Sequence, residues 1–386
     1  MRYNPFNPQL PARPDFFVGR KSEVKEFEKF MTQTSHNYPM NMSITGNRGV
    51  GKTSILMKFE QISKDNKCLV VRLSNYEGNI NNIIELSDYI ISNIKTEILS
   101  KKPIGENFDK FKNWISTLKP SIGWNDINLS LEKKQIVQEI LRQKLNKLWN
   151  EIKKDYKACI ILFDEAESLE KTEGALTFLR EVFQRIEDKC NYMIVLAGNL
   201  NFPEKMSESF SPLNRFFPSS RLMPLKENDI RDYIYKKFGS EDVYLDEYPI
   251  QFIIENSEGH PYILVAMCYL IFDSLRDEEK RITIDIIKRS EEKIYAKLSQ
   301  NFFSPMFCPL TPKAKKILKI ICSNVQNLQF DFSDVVKWTK IERNYVSPYI
   351  QELFKKGIIN KLERGTYILF HKLFINYVNS LERDVK

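Results

Sequence analysis

The residues Gly46-Asn47-Arg48-Gly49-Val50-Gly51-Lys52-Thr53 read G-x-x-x-x-G-K-T. That spacing can wrap a chain of phosphates. Glycines let the backbone curl until successive N–H groups point at one anion, and a helix starting at the end of the loop adds its positive N-terminus. Lys52 then reaches the β- and γ-phosphates, and the Thr53 hydroxyl becomes a ligand for Mg²⁺. The sequence holds only 13 glycines, yet three fall within these positions, so an ordinary glycine-rich turn is the weaker reading. The whole stretch Gly46, Asn47, Arg48, Gly49, Val50, Gly51, Lys52, Thr53 and Ser54 is assigned to a nucleoside triphosphate.

A second constellation lies a hundred residues on. The apolar run 158–163 ends in Asp164-Glu165-Ala166-Glu167. A carboxylate at the C-terminal end of a buried strand beside a phosphate loop can hold Mg²⁺, which gives Asp164 the metal and Glu165 the attacking water. Glu167 reads as a solvated or helix-start carboxylate. After the next apolar run, Asn199 either orients that water or only shapes a turn. Arg215 and Arg221 either stabilise the charge developing on the γ-phosphate, Arg215 in cis or across a subunit interface, or make surface ion pairs.

Positioning such groups needs a rigid frame. Short apolar segments at Met40–Ile44, Cys68–Leu73, Ala158–Phe163, Tyr192–Ala197 and Arg221–Leu225 are bounded by turn or charged residues and separated by helical patterns. That alternation predicts a parallel five-stranded sheet between helices. Ahead of it, Ser22 reads as the cap of a helix running to Phe30. About eighty residues separate the second and third strands. There Ile83, Leu86, Ile90, Ile94 and Ile98, and later Val137, Leu141, Leu145, Leu148 and Ile152, recur at helical steps, with a loop or hairpin at 120–130.

Past Leu225 the pattern turns helical, at Glu227–Phe238, Leu245–Asn256, Pro261–Asp273 and Thr283–Leu298. Residues 301–310 read as a packed linker. Beyond it, helices at Thr311–Ser323, Ser333–Thr339 and Val346–Lys356 precede a hairpin of Ile358–Leu362 and Thr366–Phe370 and a last helix, which is the winged-helix order. The expected domains are thus an N-terminal arm (1–16), an α/β nucleotide-binding domain (17–226) with a helical insert (77–155), a helical lid (227–300) and a winged helix (301–386).

At 386 residues the chain suits two or three domains of about 150 residues each. Its longest apolar run, Tyr262–Phe272, is about half of what spans a bilayer. The first residues lack a signal-peptide core, so a soluble, cytoplasmic protein without membrane contact is expected. Six scattered cysteines form no C-x-x-C pair and read as buried reduced thiols. The net charge of +8 is uneven, since residues 311–386 carry 14 Lys/Arg against 7 Asp/Glu. That excess calls for an anionic partner. Arg343, Asn344, Lys361 and Arg364, on or beside the third helix and the wing, are the candidate contacts to double-stranded DNA. The alternative is a winged helix that binds protein or another copy of the chain.

Phe17-Val18-Gly19-Arg20, the phosphate loop, Ile160–Glu165, Gly198-Asn199, the Arg215 region, Pro224-Leu225 and Gly259-His260-Pro261-Tyr262 form one series. Together they resemble an AAA+-type ATPase, most similar to the archaeal ATPases of the STAND class and to origin-recognition-like ATPases with a C-terminal winged helix. The resemblance implies ATP and Mg²⁺ as cofactors, hydrolysis of ATP to ADP and phosphate, and Val18 and Gly19 beside the adenine. Many AAA+ proteins place a lid arginine on the γ-phosphate, whereas this chain offers His260. The histidine either senses nucleotide or caps a lid helix, and a slow switch is expected rather than a fast ring motor. A helicase, which Asp-Glu-Ala-Glu could also signal, lacks a second core.

Overall fold

A computed structural model describes residues 3–74, 80–101, 131–186 and 190–381. The chain divides into two compact units: Ala12–Gly46 with Gly51–Met223, and Met1–Pro11 with Asn47–Val50 and Pro224–Lys386.

The first unit is built on a five-stranded parallel sheet of β1 (Met42–Thr45), β2 (Leu69–Ser74), β3 (Cys159–Asp164), β4 (Tyr192–Gly198) and β5 (Ser219–Arg221), in the order β2-β3-β4-β1-β5. Every residue of β1, β3 and β4 is buried, as the uninterrupted apolar runs require when both sheet faces are covered. The helix Lys21–Ser35 packs against Lys52–Asp65, with the Phe27 and Phe59 rings stacked at 4.0 Å. The helices Ile83–Lys101 and Leu131–Ile152 bury the ten residues their spacing marks out. Full burial of each such aliphatic side chain contributes about 1.5–3 kcal/mol. The loop or hairpin expected at 120–130 lies outside the described residues.

Two expectations fail here. The fifth strand is Ser219–Arg221, not Arg221–Leu225, and it is an exposed edge paired only to β1. Its ladder ends after the Leu222 N–H donates to Thr45 O at 2.7 Å, and Pro224 has no N–H to extend it. Ser22 is not a cap. Arg20, in the left-handed region (φ 60°), starts the helix, and the Ser22 hydroxyl donates instead to Glu23.

The second unit holds the helices Glu227–Gly239, Glu247–Ser257, Pro261–Asp273 and Ile284–Leu298, with β6 (Tyr244–Leu245) and β7 (Arg281–Ile282) paired between them. Phe6 of the N-terminal arm is buried against Tyr233, Phe238 and Phe272, and Lys237 donates to Pro5 O at 2.7 Å. The expected linker at 301–310 is largely helical: a π-helical turn, Ser299–Phe303, leads into Ser304–Phe307. Then come the helix Pro312–Asn324, β8 (Gln329–Asp331), the helices Phe332–Thr339 and Arg343–Lys355, the hairpin β9 (Ile359–Glu363) and β10 (Thr366–Leu369), and the helix Lys372–Ser380. Helix, helix, helix, hairpin is present, and β8 adds a third strand that the sequence did not announce. Of the six cysteines, Cys308 is exposed and the other five are buried. No described helix is long and apolar enough to cross a membrane.

This C-terminal segment is keyed to the lid helices through His371, which is 1% exposed. Its Nδ1 accepts the Leu373 N–H at 3.1 Å, which leaves Nε2 to donate to Ser257 O at 3.1 Å. Burial, then the neighbouring His260, push its pKa from 6.5 down to about 3. The unfolded chain therefore takes up this proton as pH falls below 6.5, while the folded chain does not until pH 3. Stability is unaffected above that window and drops through it, by up to about 1.4 kcal/mol per pH unit. Denaturant titrations from pH 7.5 to 5 should show this loss, and it should shrink in His371→Phe.

Candidate functional site

The phosphate loop leaves the C-terminal end of β1. Its first residue is fixed laterally, because the Gly46 N–H donates to Gly198 O at the end of β4, at 3.3 Å. Gly49 (φ 76°) and Gly51 (φ 97°) occupy the left-handed region, which is why glycine stands at both positions. The helix Lys52–Asp65 begins immediately after, so its free N–H groups face the loop. Lys52 Nζ donates to Gly46 O at 2.9 Å, which folds the ammonium back over the loop.

The strand order then brings the acidic pair to the loop. Asp164 closes β3, β3 pairs with β4, and β4 pairs with β1. Asp164, only 4% exposed, accepts the Thr53 hydroxyl at Oδ2 (2.8 Å) and the Glu165 N–H at Oδ1 (3.0 Å). The two residues assigned to the metal are therefore in direct contact. A hydroxyl and a carboxylate are hard oxygen donors that suit Mg²⁺, which commonly binds through one or two protein oxygens plus substrate phosphates. Among the described residues no group of three or more His, Cys, Asp or Glu is placed to hold a metal by itself, consistent with a cation that arrives with phosphate. Glu165 has φ 52°, an uncommon value for a non-glycine residue, at the point where β3 gives way to a 3-10 turn, Ala166–Lys171.

Other expected residues fall at varied places. Asn199 follows β4 beside the loop, but its Oδ1 accepts the Asn201 N–H at 3.1 Å, so half of its side chain serves the turn. Arg215 is exposed in the short helix Leu213–Phe216 and makes no ion pair among the described residues. Arg221 ends β5, also exposed. Val18 and Gly19 (φ 68°) are half-buried just ahead of Lys21–Ser35. Ser54 differs from expectation. Its hydroxyl accepts the Ala12 N–H at 3.0 Å and so holds the N-terminal arm instead of facing the loop.

The tip of the loop, Asn47–Val50, clusters with the second unit. His260 Nε2 lies 3.0 Å from Arg48 O, and the Tyr262 N–H donates to Gly49 O at 3.2 Å. A Cβ on Gly49 would meet His260 Cε1 at 2.7 Å and Tyr262 Cβ at 3.0 Å, so glycine is required by contact as well as by φ. His260, 7% exposed, packs on Phe302, Phe370 and His371, and Asn47 Oδ1 lies 3.7 Å from where a Cβ on Gly357 would stand. The histidine thus caps the helix Pro261–Asp273 and grips the loop at once.

In the C-terminal segment Arg343 and Asn344 are exposed in the first turn of Arg343–Lys355, which begins three residues earlier than the apolar spacing predicts. The Arg343 guanidinium sits over the Phe332 ring at 5.1 Å. Lys361 and Arg364 are exposed on the hairpin, Lys361 opposite Tyr367. Glu352 is withdrawn from this surface, since both its oxygens accept from Thr311 at 2.8 Å.

The comparisons with known proteins agree with this geometry. Residues 17–195 match the model of the AAA ATPase domain, so the chain carries an ATPase domain of that class around the loop and the acidic strand. Over nearly its whole length it is similar to an uncharacterised HTH-type transcriptional regulator of Methanocaldococcus jannaschii, at 22% identity over 96% of this chain and 90% of that protein. Among solved structures, a Walker-type ATPase of Pyrococcus abyssi superposes with a TM-score of 0.61 at 18% identity, covering 97% of this chain and 99% of that one. The ORC2 protein of Aeropyrum pernix, in ADPNP–ADP complexes, reaches 0.60 at 11% identity, covering 97% and 96%. At these identities the structural likeness speaks for the fold.

Proposed function

We propose that this chain is an ATP-driven switch that couples nucleotide state to duplex DNA through a C-terminal winged helix, hydrolysing ATP slowly to ADP and phosphate. The observation that carries the reading is the grip on the loop tip. Groups that must move or hold when a phosphate chain arrives, Arg48 and Gly49, are bonded to His260 and Tyr262, and His260 packs directly on the C-terminal Phe370 and His371. A change at the phosphates is then felt by the segment that would meet DNA.

In this reading Lys52 and the loop N–H groups bind the phosphates, and Thr53 and Asp164 hold Mg²⁺. When bound, the cation supplies positive charge against the oxygens that gain electrons in phosphoryl transfer. Glu165 orients and deprotonates the attacking water. Asn199 retains an amide nitrogen beside the loop, and the exposed Arg215 is free to meet a γ-phosphate on another copy. The A. pernix protein's ADPNP–ADP complexes support a nucleotide at this kind of fold, and the description of the M. jannaschii relative supports DNA.

Exposed Arg343, Asn344, Lys361 and Arg364 are the proposed DNA contacts. Neutralising Lys361 and Arg364 together should weaken duplex binding and reduce the slope of log K against log salt by about two. Fluorescence anisotropy from 50 to 200 mM salt measures both quantities, and a double Ala variant that matches wild type at low salt removes the DNA assignment. A protein partner is the second reading. Tyr345 (68% exposed) and Leu362 (52%) favour it, since apolar side chains displayed on this surface would fit a protein groove.

A further inference from the structure

Glu167 is not the solvated carboxylate its place in the sequence predicts. The 3-10 turn Ala166–Lys171 folds back after β3 and shuts its Oε2 off from solvent, where it finds no hydrogen-bond partner among the described residues. Its other support is its own backbone N–H, and the charges acting on it are Lys52, Glu170 and Asp164. Glu170 is partly satisfied by Lys205, so it does not neutralise the turn. Burial pushes the Glu167 pKa up, and Lys52, the lysine of the phosphate loop, draws it back. A third carboxylate therefore stands near the phosphate-binding lysine, in addition to the two that the metal and water require.

We infer that Glu167 makes nucleotide binding conditional on a divalent cation. A phosphate chain entering the loop without a cation meets Asp164, Glu165 and Glu167 together, and like charges in a partly dry site repel strongly. A divalent cation bound with the phosphates cancels most of that repulsion. Glu167 is thus a specificity-determining residue that favours the cation complex of the nucleotide over the free anion, and it also opposes excess affinity of Lys52 for bare phosphate. The inference rests on the phosphate-loop reading above.

The test compares the Kd of ADP in EDTA with that in Mg²⁺ at pH 8, by calorimetry on the full chain. Glu167→Gln should lower the ratio of the two by at least about threefold, chiefly by tightening the EDTA arm, while Glu167→Asp keeps the wild-type ratio. A purely structural role would change melting temperature and both arms alike. Should the Gln variant not fold, Glu167→Ala carries the same comparison. An unchanged ratio, or weakening confined to the Mg²⁺ arm, overturns the inference while leaving the loop assignment standing. A wild-type chain that binds no ADP in either buffer overturns the loop assignment and this inference with it.

Discussion

Replacing Lys52 by alanine lowers nucleotide affinity by about a hundredfold and leaves the fold intact. The magnitude follows from the loss of one ammonium bonding to multiply charged oxygens, where a charge-assisted hydrogen bond contributes roughly 1.5–3 kcal/mol. The fold survives because Lys52 is half-buried at the start of its helix and its printed partner is a carbonyl of its own loop, Gly46 O. The Thr53–Asp164 contact remains in the variant, so the metal end of the site is untouched. Calorimetry with MgADP reads the effect directly. An affinity equal to wild type would remove Gly46–Thr53 from nucleotide binding altogether.

Glu165→Gln has the other large effect, and it falls on turnover alone. Glutamine keeps the shape of the side chain and cannot accept the proton of an attacking water, and positioned bases of this kind contribute about 10²–10⁴-fold. The neighbouring Asp164 keeps its contact with Thr53, so ATP binding should persist and ATP should accumulate on the protein. Single-turnover measurement of phosphate release separates the two steps. Normal release in Glu165→Gln would transfer the role of base elsewhere, and Glu167 is the nearest carboxylate in sequence that could take it.

The sequence announces what local chemistry encodes. The six buried residues of β3, the three glycines of the loop and the Pro261 start of a helix each carry a signal within a few positions, and the structure has all three. Elements without such a signal escape it. Strand β8 is three residues with one buried side chain, Phe330, and exists only because β10 lies beside it. Glu167 reads as solvated because nothing local tells that a 3-10 turn will fold it inward. Ser54 matches a nucleotide-binding position, yet its hydroxyl goes to Ala12, forty-two residues away. The grip of His260 on Arg48 spans 212 residues. Gly259-His260-Pro261 is legible as a motif, but which group the histidine meets is decided by packing.

The central claim is that the nucleotide in this loop governs what the C-terminal segment binds. The most direct measurement is duplex DNA affinity of Glu165→Gln at fixed salt, loaded in turn with MgATP and MgADP. The account predicts dissociation constants that differ by about tenfold or more, equivalent to roughly 1.4 kcal/mol of coupling. Equal affinities for DNA in the two states, with both nucleotides saturating, would contradict it.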